Sequence, residues 1–249
     1  MQNKNVLNIC LPDNFELFTD KVIERGWVGD TGKNRREIAG GISKMEAHIL
    51  ATIITQNNVK KSVETGVANG ISTLAITQAI ALNQGRHYGI DPVQFQEHQG
   101  VALTLLEQHQ LLENFTLCHG PTHIEAPKLL DKNERFELVF IDGMHTFDYK
   151  FIDSFYGDLL LDVGGFLVFH DLLLPSVKKL FRFIKAQNKY RVILTPELQP
   201  SLYRKGRFTA AAFIKRKPYW YFWLNGFCNL LVLQKISNTE PPWNFFNNF

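Results

Sequence analysis

From residue 60 onward, short apolar runs alternate with stretches in which apolar residues return every three or four positions. The short runs at 61–64, 86–90, 115–118, 137–141, 166–169, 190–194 and 209–214 predict strands. Their nearly continuous apolar character predicts cover on both faces. The intervening stretches 73–82 and 94–112 predict helices. So does the face traced by Phe147, Phe151, Ile152, Phe155 and Leu159. Pro175 opens a further helix, with Val177, Leu180, Phe181 and Ile184 on one side. Upstream, Met45, Ile49, Leu50, Ile53 and Ile54 keep helical spacing, and Ser43 with Glu46 fits a capping box. Strands alternating with helices predict an α/β fold: a mostly parallel, seven-stranded sheet flanked by helices on both faces. The expected organisation is an irregular lead-in or lid over 1–42, a Rossmann-like domain over 43–217 and an aromatic extension over 218–249.

Composition narrows the picture. The chain has 249 residues, 45% of them hydrophobic, enough for a sizeable core, and a formal net charge of +3 that gives no case for nucleic acid. Basic residues gather at Lys178, Lys179, Arg182 and Lys185 and again between Arg204 and Lys217, and read as a solvated helix face and loop. Cys10, Cys118 and Cys228 form no CxxC pair, which fits a reducing compartment. The first residues lack a continuous apolar signal region, and no run reaches the ~20 apolar residues of a membrane span. A cytoplasmic protein is expected. The stretch Tyr219–Leu224, with Phe227, Leu230, Leu231 and Val232, is densely aromatic and apolar. Trp243, Phe245, Phe246 and Phe249 continue that character to the end. Such a segment covers a sheet, lines a pocket for a ring substrate, joins a homo-oligomer or touches a membrane surface.

In parallel sheets, ligands bind beyond the carboxyl ends of the strands, near the point where strand order reverses. The first exit reads Glu64-Thr65-Gly66-Val67-Ala68-Asn69-Gly70-Ile71-Ser72. Its glycines permit a tight turn and close approach of backbone to a ligand. Their GxxxG spacing departs from the GxGxxG of dinucleotide folds. The second exit supplies Asp91, a carboxylate suited to ribose hydroxyls or to a turn before Pro92. The third reads His119-Gly120-Pro121-Thr122. The fourth and fifth read Phe140-Ile141-Asp142-Gly143-Met144-His145 and Gly164-Gly165-Phe166-Leu167-Val168-Phe169-His170-Asp171, with Asp153 on the helix between them. Two strands joined by one crossover are usually neighbours, about 4.8 Å apart, which would bring Asp142 beside His170 and Asp171.

Glu64 followed by GxxxGxS resembles the first motif of class I S-adenosylmethionine-dependent methyltransferases. The later exits resemble the methyltransferase family labelled type 24, with its sugar and macrolide O-methyltransferase relatives. The resemblance covers roughly residues 43–190. It implies S-adenosylmethionine as cofactor, contacted by Glu64, Gly66, Asn69, Gly70, Ser72, Asp91 and Asp142, with Thr122 a candidate near the adenine. The triplet usual at that third exit is missing here. The resemblance also implies His145 as general base and a divalent metal held through Asp142, His170 and Asp171. The sugar enzymes have carboxylates at all three positions, and His170 departs from that set. Magnesium prefers oxygen and imidazole suits transition metals, so the site holds Mn, Fe or Zn, holds Mg weakly, or is a hydrogen-bonded His/Asp pair with no metal.

The function implied is O-methylation of a hydroxyl on a small molecule or sugar. An RNA or protein methyltransferase is the first alternative. Against it, Asp142-Gly143-Met144-His145 stands where amine-methylating nucleic-acid enzymes have an Asn/Asp-Pro-Pro-Tyr tetrad, and no cysteine follows that strand. A non-catalytic S-adenosylmethionine-binding protein is the second alternative. An NAD oxidoreductase is the third, and the glycine spacing weighs against it.

Overall fold

The structure is a computed structural model that describes residues 9–29, 35–38, 41–194 and 229–245. The chain enters through Phe18–Arg25 (α1), the short antiparallel pair Trp27–Val28 (β1) and Arg36–Glu37 (β2), and Lys44–Gln56 (α2). The alternating part follows: Lys61–Thr65 (β3), Ile71–Leu82 (α3), Arg86–Ile90 (β4), Val101–Gln108 (α4), Phe115–Cys118 (β5) and Thr122–Asp131 (α5). It continues with Phe136–Ile141 (β6), Phe147–Leu160 (α6), Leu161–Phe169 (β7), Pro175–Ala186 (α7), Tyr190–Leu194 (β8) and Leu231–Lys235 (β9).

Seven strands form one sheet in the order β5-β4-β3-β6-β7-β9-β8, with β9 antiparallel to both its neighbours and the other contacts parallel. The chain moves outward from β3 through β4 to β5, then returns to place β6 on the other side of β3. The strand order therefore reverses between β3 and β6, and a crevice is expected above their carboxyl ends. Alternation along each strand feeds two cores. Leu138, Phe140, Phe166 and Val168 meet α2 and α3 on one face, while Val139, Ile141, Leu167 and Phe169 meet the α7 residues Val177, Leu180 and Ile184 on the other. The capping box forms as expected: the Ser43 amide donates to Glu46 Oε2 at 2.7 Å, and Ser43 Oγ accepts from the Glu46 amide.

Four elements differ from expectation. The lead-in contains α1, whose Val22 is buried and whose Phe18 amide donates to Gln78 Oε1 on α3 at 2.8 Å. The helix expected over 94–112 is only α4, because Gly100 sits at φ 69° at its start and fully buried Gln94 turns back to donate to Ala68 O at 2.9 Å. Leu231–Lys235, placed by the sequence in the extension, is an interior strand with Leu231 and Val232 wholly buried. The sheet thus runs past the expected boundary at 217. The aromatic face of α6 also points outward: Phe151, Phe155 and Leu159 line a groove of about 500 Å³ with Leu180, Phe183 and Tyr190. Its buried face is instead Lys150, Asp153, Ser154, Gly157 and Leu160, with Gly157 letting the helix close on Val139. The expected strand 209–214, the basic run 204–217 and the aromatic stretch 219–228 lie outside the described residues. Among the described residues, no helix is long and apolar enough to cross a membrane.

At the base of the sheet, Asp158 of α6 holds two buried lysines. Lys189 Nζ donates to it at 2.9 Å and Lys235 Nζ lies 3.3 Å away, each lysine side chain only 4% exposed. The exposed Glu240 also meets Lys189. An Asp158→Asn substitution removes the charge that both cations share and is expected to cost about 3 kcal/mol, because a buried ion left without its partner keeps its desolvation penalty. Thermal melting against the exposed control Asp162→Asn checks this, and equal melting temperatures would contradict it.

Candidate active site

The β3 exit is drawn tight by its neighbours. The Gly66 amide donates to Ile90 O at 2.9 Å, and the Asp142 amide donates to Thr65 O at 3.0 Å. Gly66 has φ 85°, and a Cβ there would lie 2.5 Å from the Asp142 carbonyl oxygen. Only glycine combines that dihedral with so close an approach of two backbones. Gly70, at φ 80°, starts α3 and lets Ala102 of α4 close in; a Cβ would lie 2.7 Å from the Ala102 Cβ.

The carboxylates of the first two exits face the loop. Glu64 is fully buried; its Oε2 accepts from Ser72 Oγ at 2.8 Å, its Oε1 accepts from Thr73 Oγ1, and His87 Nε2 lies 3.2 Å away. Glu64 and Ser72 therefore bind each other and fix the first turn of α3. Asp91, 2% exposed, accepts from the amides of Val67 and Ala68 at 3.1 and 2.9 Å and from the Val93 amide at 2.8 Å. An ionised carboxylate offers about four acceptor positions, so one stays free for a ligand hydroxyl. Gly66 and Asn69 are half-buried and Ala68 is exposed, so the open side of the turn is 66–69; Asn69 Oδ1 lies 3.3 Å from His98 Nδ1.

Thr122, the first residue of α5, hydrogen-bonds Asp153, which also accepts from Thr65 Oγ1 at 3.0 Å. Burial raises the Asp153 pKa, against the lowering influence of Thr122, Thr65 and the Lys150 charge. Gly143 fits over this acid, since a Cβ there would lie 2.7 Å from Asp153 Oδ2. Asp153 thus joins the exits of β3, β5 and β6. Lys150, wholly buried one turn earlier, donates to Ile141 O at 3.3 Å.

The fourth and fifth exits converge as the register of β6 on β7 requires, with Ile141 opposite Phe169. His170 Nδ1 lies 3.0 Å from Asp142 Oδ1 and 3.5 Å from Asp171 Oδ2. His145 Nδ1 lies 3.1 Å from the same Asp171 Oδ2. Asp171 adopts φ 63°, a left-handed backbone that costs roughly 1–2 kcal/mol in an L-residue but is eased in Asp. Three partners hold this geometry. Asn229 Nδ2 donates to Asp171 Oδ1 at 2.9 Å, the Leu173 amide donates to Asn229 Oδ1 at 3.0 Å, and Ser176 Oγ donates to His145 O at 2.7 Å. From α2, Glu46 Oε2 faces His170 Nε2 at 3.6 Å.

Burial alone would lower the His170 pKa, but Asp142, Asp171 and Glu46 raise it well above the usual imidazole value. Burial opposes ionisation of Asp171, yet the His170 hydrogen bond and the charges of His170, His145 and Lys150 bring its pKa down to about 2. Neither Glu46 nor Asn229 was a candidate from sequence. The capping box accounts fully for a glutamate at 46, and Asn229 reads as a break in an aromatic run.

One donor atom each from Asp142, His170 and Asp171 lies within 4.8 Å of the others. Ligands around one ion with bonds near ~2.0–2.3 Å have such spacings, so the residues fit a divalent metal. The imidazole shifts the preference from magnesium toward transition ions.

A family profile described as a methyltransferase domain matches residues 63–172, from β3 to just beyond β7. Residues 63–172 are therefore similar to a methyltransferase domain. The matched segment contains every strand exit described above, while Glu46 and Asn229 reach those exits from outside it. Solved structures share the fold. An O-methyltransferase from Bacillus cereus in complex with SAH is similar at 12% identity and TM-score 0.64, over 91% of this chain and 94% of that one. The O-methyltransferase TomG from Streptomyces achromogenes, involved in tomaymycin synthesis and in complex with SAM, is similar at 13% identity and TM-score 0.60, over 79% and 82%. SAH-bound PaMTH1 from Podospora anserina is similar at 12% identity and TM-score 0.54, over 79% and 80%. No curated protein matches the sequence.

Proposed function

We propose that the protein is an S-adenosylmethionine-dependent O-methyltransferase acting on a hydroxyl of a small molecule or sugar, with His145 as the general base. The observation that carries this reading is the His145–Asp171 contact of 3.1 Å at the β6 and β7 exits, with the His145 side chain 56% exposed. A carboxylate facing Nδ1 favours the tautomer with its proton there, which leaves Nε2 unprotonated and open to the acceptor. The structures in complex with SAM or SAH support the choice of cofactor, and the accessible backbone of the turn 66–69 supports that turn as its seat.

S-adenosylmethionine, when bound, supplies a methyl group already activated on a sulfonium, so the protein mainly positions the reactants. Gly66 to Asn69 would present backbone to the cofactor, with Asp91 holding that turn, Glu64 fixing the first turn of α3 beyond it, and the last acceptor position of Asp91 available to a ribose hydroxyl. His145 would take the hydroxyl proton of the acceptor as its oxygen accepts the methyl group, the bound cofactor supplying that methyl and keeping the thioether. Asp142, His170 and Asp171 would hold the divalent ion, which would lower the pKa of a hydroxyl bound to it. The test is incubation of the full chain with methyl-labelled cofactor and a panel of phenols, catechols and sugars. Labelled ether products from at least one hydroxyl class are expected. Transfer only to amines, to RNA or to protein would contradict the proposal.

A further inference from the structure

None of the candidate site residues lines the groove between α6 and α7. Its walls are apolar: Phe151, Phe155 and Leu159 face Leu180 and Phe183, with the Phe151 and Phe183 rings 5.6 Å apart. Phe155 is 53% exposed, and apolar surface left open in this way marks an interaction site. The C-terminal tail is pinned beside the groove. The Ile236 amide donates to Lys189 O at 2.8 Å, Lys189 Nζ donates to Glu240 at 2.7 Å, and the Phe245 amide donates to Pro242 O at 2.9 Å. Within that last turn stands Trp243, 91% exposed. The groove and the recess lined by Pro241, Pro242 and Phe245 share Gln187, Lys189 and Glu240. An aromatic knob and an aromatic hole therefore stand on one face, and the pinned turn keeps the knob out of its own groove.

We propose that this face joins two copies of the chain, each placing its Trp243 in the α6–α7 groove of the other. A two-fold interface uses the same patch on both copies, so knob and hole must lie together, as they do here. Tryptophan is among the side chains that most often anchor such contacts. Its indole N–H needs an acceptor once buried, and Gln187 supplies an amide oxygen in the groove. The polar end of the groove is balanced, with Asp158 and Glu240 set against Lys189 and Lys235. Two copies meet there without like-charge repulsion. Arg182 and Lys185 do not line the groove, so it offers an anionic lipid surface no excess of cations. Two indoles of ~150–250 Å² and the walls that receive them would bury roughly 600–1,000 Å². With the Pro241-Pro242 rim this reaches the lower end of specific interfaces, which fits a dimer that dissociates on dilution.

Sedimentation velocity of the full-length protein from ~1 to ~100 μM tests this, over the range in which a small interface dissociates. No cofactor or acceptor is present, so the result is independent of the methyl-transfer reading. A monomer–dimer equilibrium is expected. Trp243→Ala is expected to weaken it ~30-fold or more while leaving the fold intact, since the side chain faces solvent in the single chain. Phe155→Glu puts a charge on the groove wall and is expected to weaken it similarly. An equimolar mixture of the two variants should associate more tightly than either alone, because one keeps the groove and the other keeps the tryptophan. The Trp243 variant decides the matter if the Phe155 variant does not fold. A monomeric wild type at ~100 μM would overturn the proposal. So would a dimer that Trp243→Ala leaves unchanged. A monomeric wild type that co-sediments with phosphatidylglycerol vesicles would also overturn it and give the groove to a membrane surface.

Discussion

Replacing His145 by alanine is expected to lower turnover ~100-fold or more, about 2.7 kcal/mol of transition-state stabilisation, with little change in the KM for S-adenosylmethionine. The loss belongs in kcat because the base acts as the hydroxyl proton leaves, and the side chain faces Asp171 at the β7 exit rather than serving the 66–69 turn that is proposed for the cofactor. The protein should remain folded. The His145 side chain is more than half exposed, and the Ser176 bond goes to its backbone carbonyl, which alanine retains. Asp171→Asn gives the companion result. The amide still fits between Asn229 and the histidines but no longer supplies a carboxylate to hold His145 Nδ1–H, so turnover falls in the same direction. In the double variant the two losses should not add, because the pair acts as one unit. Near-wild-type turnover of His145→Ala on a confirmed hydroxyl substrate would remove His145 from the role of base.

Gly66→Ala is expected to abolish cofactor binding and to destabilise the fold by about 3 kcal/mol or more. Two costs combine: a left-handed backbone disfavours an L-residue by roughly 1–2 kcal/mol, and overpacking typically costs a further ~1–3 kcal/mol. The collision is with the Asp142 carbonyl and the Gly143 Cα, both backbone, so no side chain can swing aside. Relief requires parting β3 from β6, and that moves Asp142, the residue facing His170. Gly164→Ala is the control. Gly164 has φ 95°, but nothing lies within 4 Å of a Cβ there, so it carries the strain without the collision. Thermal melting and titration with S-adenosylhomocysteine on both variants separate the two costs. Equal behaviour of Gly66→Ala and Gly164→Ala would show that the approach of β3 to β6 does not matter.

The parallel half of the sheet was legible because β3, β4, β5 and β6 are short, each is followed within three residues by glycine, proline or aspartate, and each alternates with a stretch of helical character. The convergence of Asp142, His145, His170 and Asp171 was legible for the same reason, since consecutive parallel strands deliver their exits to one edge. Strand β9 was not, because Leu231–Lys235 follows an aromatic stretch whose composition hides its limits. The outward face of α6 misled in another way: helical spacing shows that Phe147, Phe151 and Phe155 share a side, not which side the sheet takes. At Glu64 and Asp91 the sequence shows an acid after a strand, but whether its lone pairs serve a ligand or the loop's own amides is decided by the turn's path. Glu46 and Asn229 were invisible as site residues because they reach His170 and Asp171 across long stretches of chain, and no local pattern encodes that contact.

The exits of β3, β4 and β6 are proposed to hold a sulfonium nucleoside. Calorimetric titration of the full-length protein with S-adenosylhomocysteine tests it most directly. Saturable binding of one molecule per chain is expected, together with no heat from NADH. Absence of saturable S-adenosylhomocysteine binding at millimolar concentration, or tighter binding of NADH, would contradict the account.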